Sequence, residues 1–208
     1  MPATSKTQLI ITANLRLPSA AAEYLNSVSL ELSPDDVMYQ GDDAHYLSAG
    51  ASALNVILAV LTVADAPVPK NVLDFGAGAG RVTRWLRAAF PGAELHTCDL
   101  RDADMRFNER AFGARIWTTG TDIGELASPP SSYDLIWIGS VATHLSAQNS
   151  ERLLDKMLTW TNPGGIVAMS LHGRFVSKSY KRQCEMMGFP YIYEQAWTTI
   201  TALYEETG

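Results

Sequence analysis

The chain has 208 residues, 47% of them hydrophobic, with two cysteines and a net charge of −6. That length supports one substantial core and requires no second domain. Its Lys and Arg residues are scattered, grouped only at Lys178, Lys181 and Arg182, so no basic stripe for nucleic acid is present and none is expected as a partner. Cys98 and Cys184 stand far apart and His45, His96, His144 and His172 are dispersed, so no metal site is expected and both thiols read as free in a reducing compartment. The N-terminus carries no signal-type apolar stretch, and the apolar run 51–64 is too short and too interrupted for a membrane span. A soluble cytoplasmic protein is the expectation.

In chain order, Ser19 is placed to cap a short Ala-rich helix through Leu25, and the role of residues 1–30 is otherwise unreadable. Ser33-Pro34-Asp35-Asp36 has the composition of a helix start, with Gly41 ending the helix soon after. A second helix is expected from about His45 to Ala64. Between the two lies the polar, aromatic stretch from Tyr39 to Tyr46, whose tyrosines either pack the helices together or cover a neighbouring site.

Asn71 to Phe75 then reads as a short buried strand, and Arg81 to Phe90 as a helix with Val82, Trp85, Leu86 and Ala89 on one side. Gly76, Gly78 and Gly80 lie between them. A turn of this kind brings backbone N–H groups close to a ligand beside a helix N-terminus. A dinucleotide fingerprint would put its third glycine at position 81, which is Arg, and would not place an acid at Asp74, two residues before the first glycine. A carboxylate at the strand's carboxyl end suits a cationic ligand better than a pyrophosphate, which argues against a nicotinamide-dependent oxidoreductase.

Val72 to Gly80 resembles motif I of the class I S-adenosylmethionine-dependent methyltransferases, in which the first strand ends in an acid followed by G-x-G-x-G. The resemblance implies S-adenosylmethionine as cofactor, with Asp74 near its methionine end and Gly76, Ala77, Gly78 and Gly80 forming the loop against it. It also implies an α/β, doubly wound, mainly parallel Rossmann-like sheet. Residues 1–66 would be a helical extension, with Tyr46 in a candidate lid over the cofactor, and residues 67–208 the cofactor-binding domain.

Pro91-Gly92 turns the chain into a second strand, Ala93 to Thr97, ending at Cys98-Asp99. An acid there can accept from ribose hydroxyls; its competing role is to cap the Met105–Phe112 helix, for which Asp102 is the better placed. Asp99, with Leu100 beside it, is therefore assigned to the cofactor. Ala114 to Trp117 makes a third strand, and the loop after it ends in Asp122-Ile123, which by resemblance meets the adenine, although Thr121 or Asp122 could also cap a short helix. A fourth strand, Tyr133 to Ile138, leads into Gly139 and Ser140, which the resemblance puts at the cofactor's edge, and into Thr143 and His144 on the substrate side. His144 is the candidate general base because its unperturbed pKa lies near neutrality; the alternative is that it only orients its loop.

Ser146 caps a helix carrying Leu153, Leu154, Met157 and Leu158, Asn162-Pro-Gly-Gly165 stops it, and Ile166 to Leu171 is the fifth strand. The helix–turn–strand stretch from Leu158 to Val167 also resembles the family. Val176 to Met187 reads as helical. The resembled fold ends in an antiparallel edge, so either the chain is truncated before those last two strands or residues 191–194 and 198–204 supply them. The implied function is methyl transfer to an O, N or C nucleophile of a small-molecule acceptor. A methyltransferase-like binding module without catalysis is the other reading. Oligomeric state is not legible.

Overall fold

The structure is a computed structural model that describes residue 21 and residues 23–171. Asp42 caps the first long helix by accepting from the His45 amide at 3.0 Å, and α1 (Asp43–Val63) follows. Next come β1 (Asn71–Phe75), α2 (Thr83–Ala89), β2 (Glu94–Asp99), α3 (Asp102–Phe112) and β3 (Arg115–Thr118). The described chain continues through β4 (Tyr133–Ile138), a 3-10 turn (Ala142–His144), α4 (Ala147–Thr159) and β5 (Thr161–Met169). The strands form one sheet, in the order β3-β2-β1-β4-β5 and parallel throughout. After β3 the chain returns past β1 to lay down β4, leaving a switch point between β1 and β4. Ligands of open α/β sheets bind outside the carboxyl ends of such a pair.

Strand periodicity decides which layer each side chain joins. In β1, Val72 packs with Leu86, Phe90, Ile57 and Leu61, while Leu73 and Phe75 pack with Leu153, Met157 and Trp160. β4 divides likewise, Leu135 and Trp137 to the first cluster and Ile136 and Ile138 to the second. Helices therefore cover both faces, α1 and α2 on one and α4 on the other. Asp134 fixes the opposite end of the sheet: it accepts from the amides of Lys70 and Asn71 at 2.8 and 3.0 Å and from the Asn162 side chain at 2.8 Å.

Several expectations need correction. The Ser33–Gly41 segment is a series of turns, not a helix. Ser33 Oγ accepts from the Asp35 amide at 3.3 Å and Asp36 Oδ1 from the Met38 amide at 2.8 Å, so these side chains satisfy the amides that a helix would have used. Asp102 is not the cap of α3: that position is Arg101, and Asp102 pairs with Arg106 at 2.7 Å in the first turn. Asn162–Gly165 lies within β5, where a register irregularity opposite Tyr133 and Leu135 absorbs the residues read as a stop. Helix α1 has 21 residues and a mean hydropathy of 1.8, enough in length and composition to cross a membrane, and longer than the apolar run suggested. Here its Tyr46, Leu47, Ala51, Leu54 and Ile57 stripe is buried in the core. The helix read at Val176–Met187 and the strands read at 191–194 and 198–204 lie outside the described residues.

Gly50 sets how closely α1 approaches the glycine loop: a Cβ there would stand 2.2 Å from the Arg81 carbonyl oxygen and 2.6 Å from Trp85. Because one obstacle is backbone, Gly50→Ala is expected to lower stability by about 1–3 kcal/mol despite alanine's better helix propensity. Urea unfolding should show this as a lower midpoint at unchanged slope.

Candidate active site

The loop from Gly76 to Gly80 leaves the carboxyl end of β1 and is held from three sides. Gly76 has φ +74°, and a Cβ on it would lie 2.1 Å from Val141, so the β4 exit loop closes directly over this glycine. The Gly78 amide donates to Asp99 Oδ2 at 2.8 Å, and the Gly78 carbonyl accepts from Asn108 Nδ2, also at 2.8 Å. Gly80 has φ +79°, and a Cβ there would lie 2.3 Å from Phe112 and 2.4 Å from Asn108. It is thus the contact point between loop and α3.

Asp74 is 1% exposed and accepts from Thr83 Oγ1 at 2.6 Å. Burial lifts its pKa to about 7; the Thr83 hydrogen bond opposes the rise and Asp99 adds to it. Asp99 accepts three amides, through Oδ2 from Gly78 and through Oδ1 from Leu100 at 2.7 Å and Arg101 at 3.3 Å. These amides precede α3, so Asp99 orders the β2–α3 turn and ties it to the glycine loop, while α3 itself starts without a side-chain cap.

Two cavities open over this edge of the sheet. One, about 350 Å³, is bounded by Asp74, Gly76, Ala77, Gly78, Tyr46, Gly139 and Ser140. The other, about 680 Å³, is bounded by Leu100, Asp122, Ile123, Thr119 and Leu126. They meet at Gly76, Asp99, Val141 and His144, which line both. Of the candidate residues named from sequence, Asp74, Gly76, Ala77, Gly78, Asp99, Leu100, Asp122, Ile123, Gly139, Ser140, His144 and Tyr46 line this double cavity, whereas Thr143 borders neither part and Gly80 faces α3 instead. Asp122 Oδ1 accepts from the Gly124 amide at 2.8 Å, so it shapes its own loop while lining the cavity.

The β4 exit loop is strained. Ser140 is a non-glycine residue at φ 65°, its amide donates to Ser170 Oγ at 2.7 Å, and its carbonyl accepts from the Thr143 hydroxyl. The 3-10 turn that follows carries His144 to the junction of the cavities. Across the smaller cavity, Tyr39 packs edge-on against Tyr46 with ring centroids 5.8 Å apart, and its hydroxyl donates to Asp43. Burial and the nearby Asp36 carboxylate push the Tyr46 phenol up, while the Arg84 guanidinium pulls the other way.

Sequence reasoning missed several residues. Asp36, Arg81, Arg101 and Asp104 also line the smaller cavity. Asp104 is 2% exposed and is raised by burial, with Arg101 opposing and Asp99, Asp36 and Asp35 adding. Thr83, Asn108 and Arg84 support the loop from below. Arg84, 1% exposed, donates through Nε to the Gly80 carbonyl at 3.1 Å and through Nη1 to Ser29 and Glu31 carbonyls at 3.0 and 2.9 Å. Its position in an amphipathic helix gave no signal of this, because a charged residue there reads as solvent-facing.

The Asp74 shift has a stability consequence. Between about pH 4 and pH 7 the native state holds a proton that the unfolded chain has released, so this group's contribution to stability falls as pH rises through that window. Asp74→Asn is neutral throughout and lacks the fall. Its thermal midpoint relative to the parent chain should therefore rise between about pH 5 and about pH 8; parallel midpoint curves would contradict the assignment.

Residues 73–167 match the family model described as a methyltransferase domain. Among curated proteins, the phosphoethanolamine N-methyltransferase of Plasmodium falciparum is 24% identical over 159 residues, 76% of this chain and 57% of the relative. A malonyl-[acyl-carrier protein] O-methyltransferase of Halorhodospira halophila is 33% identical over 110 residues, 50% of this chain and 36% of the relative. The chain thus spans little more than half the length of these curated relatives at most. Among solved structures, the plantazolicin methyltransferase BpumL, in complex with a pentazolic desmethylPZN analog and SAH, superposes with a TM-score of 0.52 at 16% identity. The match covers 96% of this chain and 68% of that one. Residues 73–167 are thus similar to a methyltransferase domain, and the sheet with its covering helices has the Rossmann-like fold of that solved structure.

Proposed function

We propose that this protein binds S-adenosylmethionine across the double cavity and transfers its methyl group to an O, N or C nucleophile of a small-molecule acceptor. The observation that carries the reading is the arrangement of acids along one continuous cleft. Asp74 and the glycine loop stand at one end, Asp99 at the junction and Asp122 with Ile123 at the other. Both cavity volumes fall in the range of about 300–1,000 Å³ typical of ligand sites.

The residues present fit the cofactor chemically. Thr119 Oγ1 in the larger cavity and Asp104 Oδ1 in the smaller one are buried without hydrogen-bond partners among the described residues, and an orphaned buried polar atom is costly unless a ligand satisfies it. In this reading Asp99 and Leu100 hold the ribose, Asp122 and Ile123 the adenine, and Asp74 with Gly76, Ala77 and Gly78 the methionine portion. Gly139 and Ser140 border its edge and Tyr46 covers it. Bound there, S-adenosylmethionine supplies an electrophilic methyl group on a positively charged sulfur. The protein's part is to orient the two reactants and keep water out. An uncompensated carboxyl such as Asp74 gains its missing counter-charge when a cation arrives, which favours its ionised form.

The proposed acceptor of a proton is His144, a reading supported by its lining both cavities and following the strained Ser140. It is needed only where the nucleophile does not lose its proton readily. The relatives' names include both an N- and an O-methyltransferase, so the acceptor atom is left open.

Calorimetric titration tests the cofactor assignment. Micromolar binding of S-adenosylmethionine and S-adenosylhomocysteine, none of NAD, and a loss of at least about tenfold in Asp99→Ala are expected. A well-folded protein that binds neither sulfur ligand would overturn it. Once an acceptor is found, His144→Ala should lower turnover by about 10²–10⁴-fold if the imidazole is the base, and undiminished turnover would remove it from the mechanism.

A further inference from the structure

The smaller cavity has an uneven charge lining. Four carboxylates border it, Asp36, Asp74, Asp99 and Asp104, and two guanidinium groups, Arg81 and Arg101. Arg101 is committed: it lies 3.4 Å from Asp104 and donates to the Asp35 carbonyl at 3.2 Å. Arg81 has no hydrogen bond or ion pair among the described residues. Its guanidinium lies over the face of Tyr46, with the guanidinium carbon 6.0 Å from the ring centroid.

Two features hold Arg81 in place. The absence of a side chain at Gly50 lets α1 come against the Arg81 carbonyl, and Tyr46, one turn earlier on the same helix, provides the surface beneath its guanidinium. The neighbouring Arg84 shares that ring, at 5.2 Å, but its hydrogen bonds go to the Gly80, Ser29 and Glu31 carbonyls. The cavity thus holds one positioned, uncommitted fork of donors beside a ring of acids. That pattern complements a zwitterion: ammonium toward the carboxylates, carboxylate toward the guanidinium.

We infer that Arg81 is a positioning residue that takes the amino-acid carboxylate of the sulfonium cofactor, fixing the methionine end of the ligand against the glycine loop. This rests on the cofactor reading above and adds an ionic anchor at the position where a dinucleotide fold would require glycine. An acceptor's own carboxylate is the competing occupant of the same donors.

The test is a double-mutant cycle read by calorimetry on the full chain. One ligand is S-adenosylhomocysteine; the other is S-adenosyl-3-thiopropylamine, the same molecule without its carboxylate. The parent protein should prefer the first by about 10- to 100-fold, the scale of a charge-assisted contact. Arg81→Ala should bind the two alike, with its affinity for the decarboxylated ligand unchanged, and Arg81→Lys should keep part of the preference. A preference that survives in Arg81→Ala overturns the inference and leaves the cofactor reading standing, and so does an equal loss for both ligands. Failure of the parent protein to bind S-adenosylhomocysteine overturns the two together.

Discussion

One buried guanidinium ties the molecule together. Arg84 lies between the rings of Tyr46 and Phe112, 5.2 Å from each centroid, and its hydrogen bonds run to the glycine loop on one side and to the segment at Ser29–Glu31 on the other. Burial pulls its pKa down, yet a guanidinium remains charged under any ordinary condition. Burying such a charge is costly unless it is hydrogen-bonded, so the three carbonyls that take its Nε and Nη1 donors are partners it cannot cheaply lose. The same residue therefore sets where α1, α3, the loop and the N-terminal segment stand relative to one another.

The site inherits its shape from that constraint. Arg84 and Gly50 fix the inner wall, Asn108 and Asp99 fix the loop from the α3 side, and Val141 closes over Gly76 from β4. The loop's glycines do different jobs: Gly76 admits the β4 exit loop, Gly78 presents its amide to Asp99, and Gly80 lets α3 approach. Only the first two border the cavities. A glycine-rich turn is thus partly a ligand surface and partly a packing joint, and the sequence pattern alone does not separate the two uses.

Electrostatically the smaller cavity is an acid ring that the protein does not neutralise by itself. Burial outweighs the Thr83 hydrogen bond and lifts Asp74 to about 7, so it is only partly ionised at neutral pH, and Asp104 is pushed the same way. A methyl donor is positively charged before transfer and loses that charge at sulfur afterwards. Acids facing the sulfur would therefore hold donor and product with different strength.

What the sequence determined by itself is everything encoded in local period and spacing. The five strands and the helices between them were legible because alternation and helical stripes are local properties. So was the order of acids at the carboxyl ends, since Asp74 and Asp99 close their strands and Asp122 follows the third; the resemblance carried by Val72–Gly80 pointed to the methyltransferase fold. Tertiary structure alone decided the rest. The segment 33–41 has helix-start chemistry, yet its side chains cap local turns while the Asp35 carbonyl accepts from Arg101, a partner 66 residues away. Gly80 turned from ligand to packing, and Asp102, expected as a cap, pairs with Arg106 while Asp99 ties the β2–α3 turn to the glycine loop. Arg81 and Arg84 are alike in sequence, three positions apart on one segment. Which is the buried tie and which faces the cavity depends on carbonyls and rings brought from distant parts of the chain, and hydrogen bonds of that range leave no periodic trace.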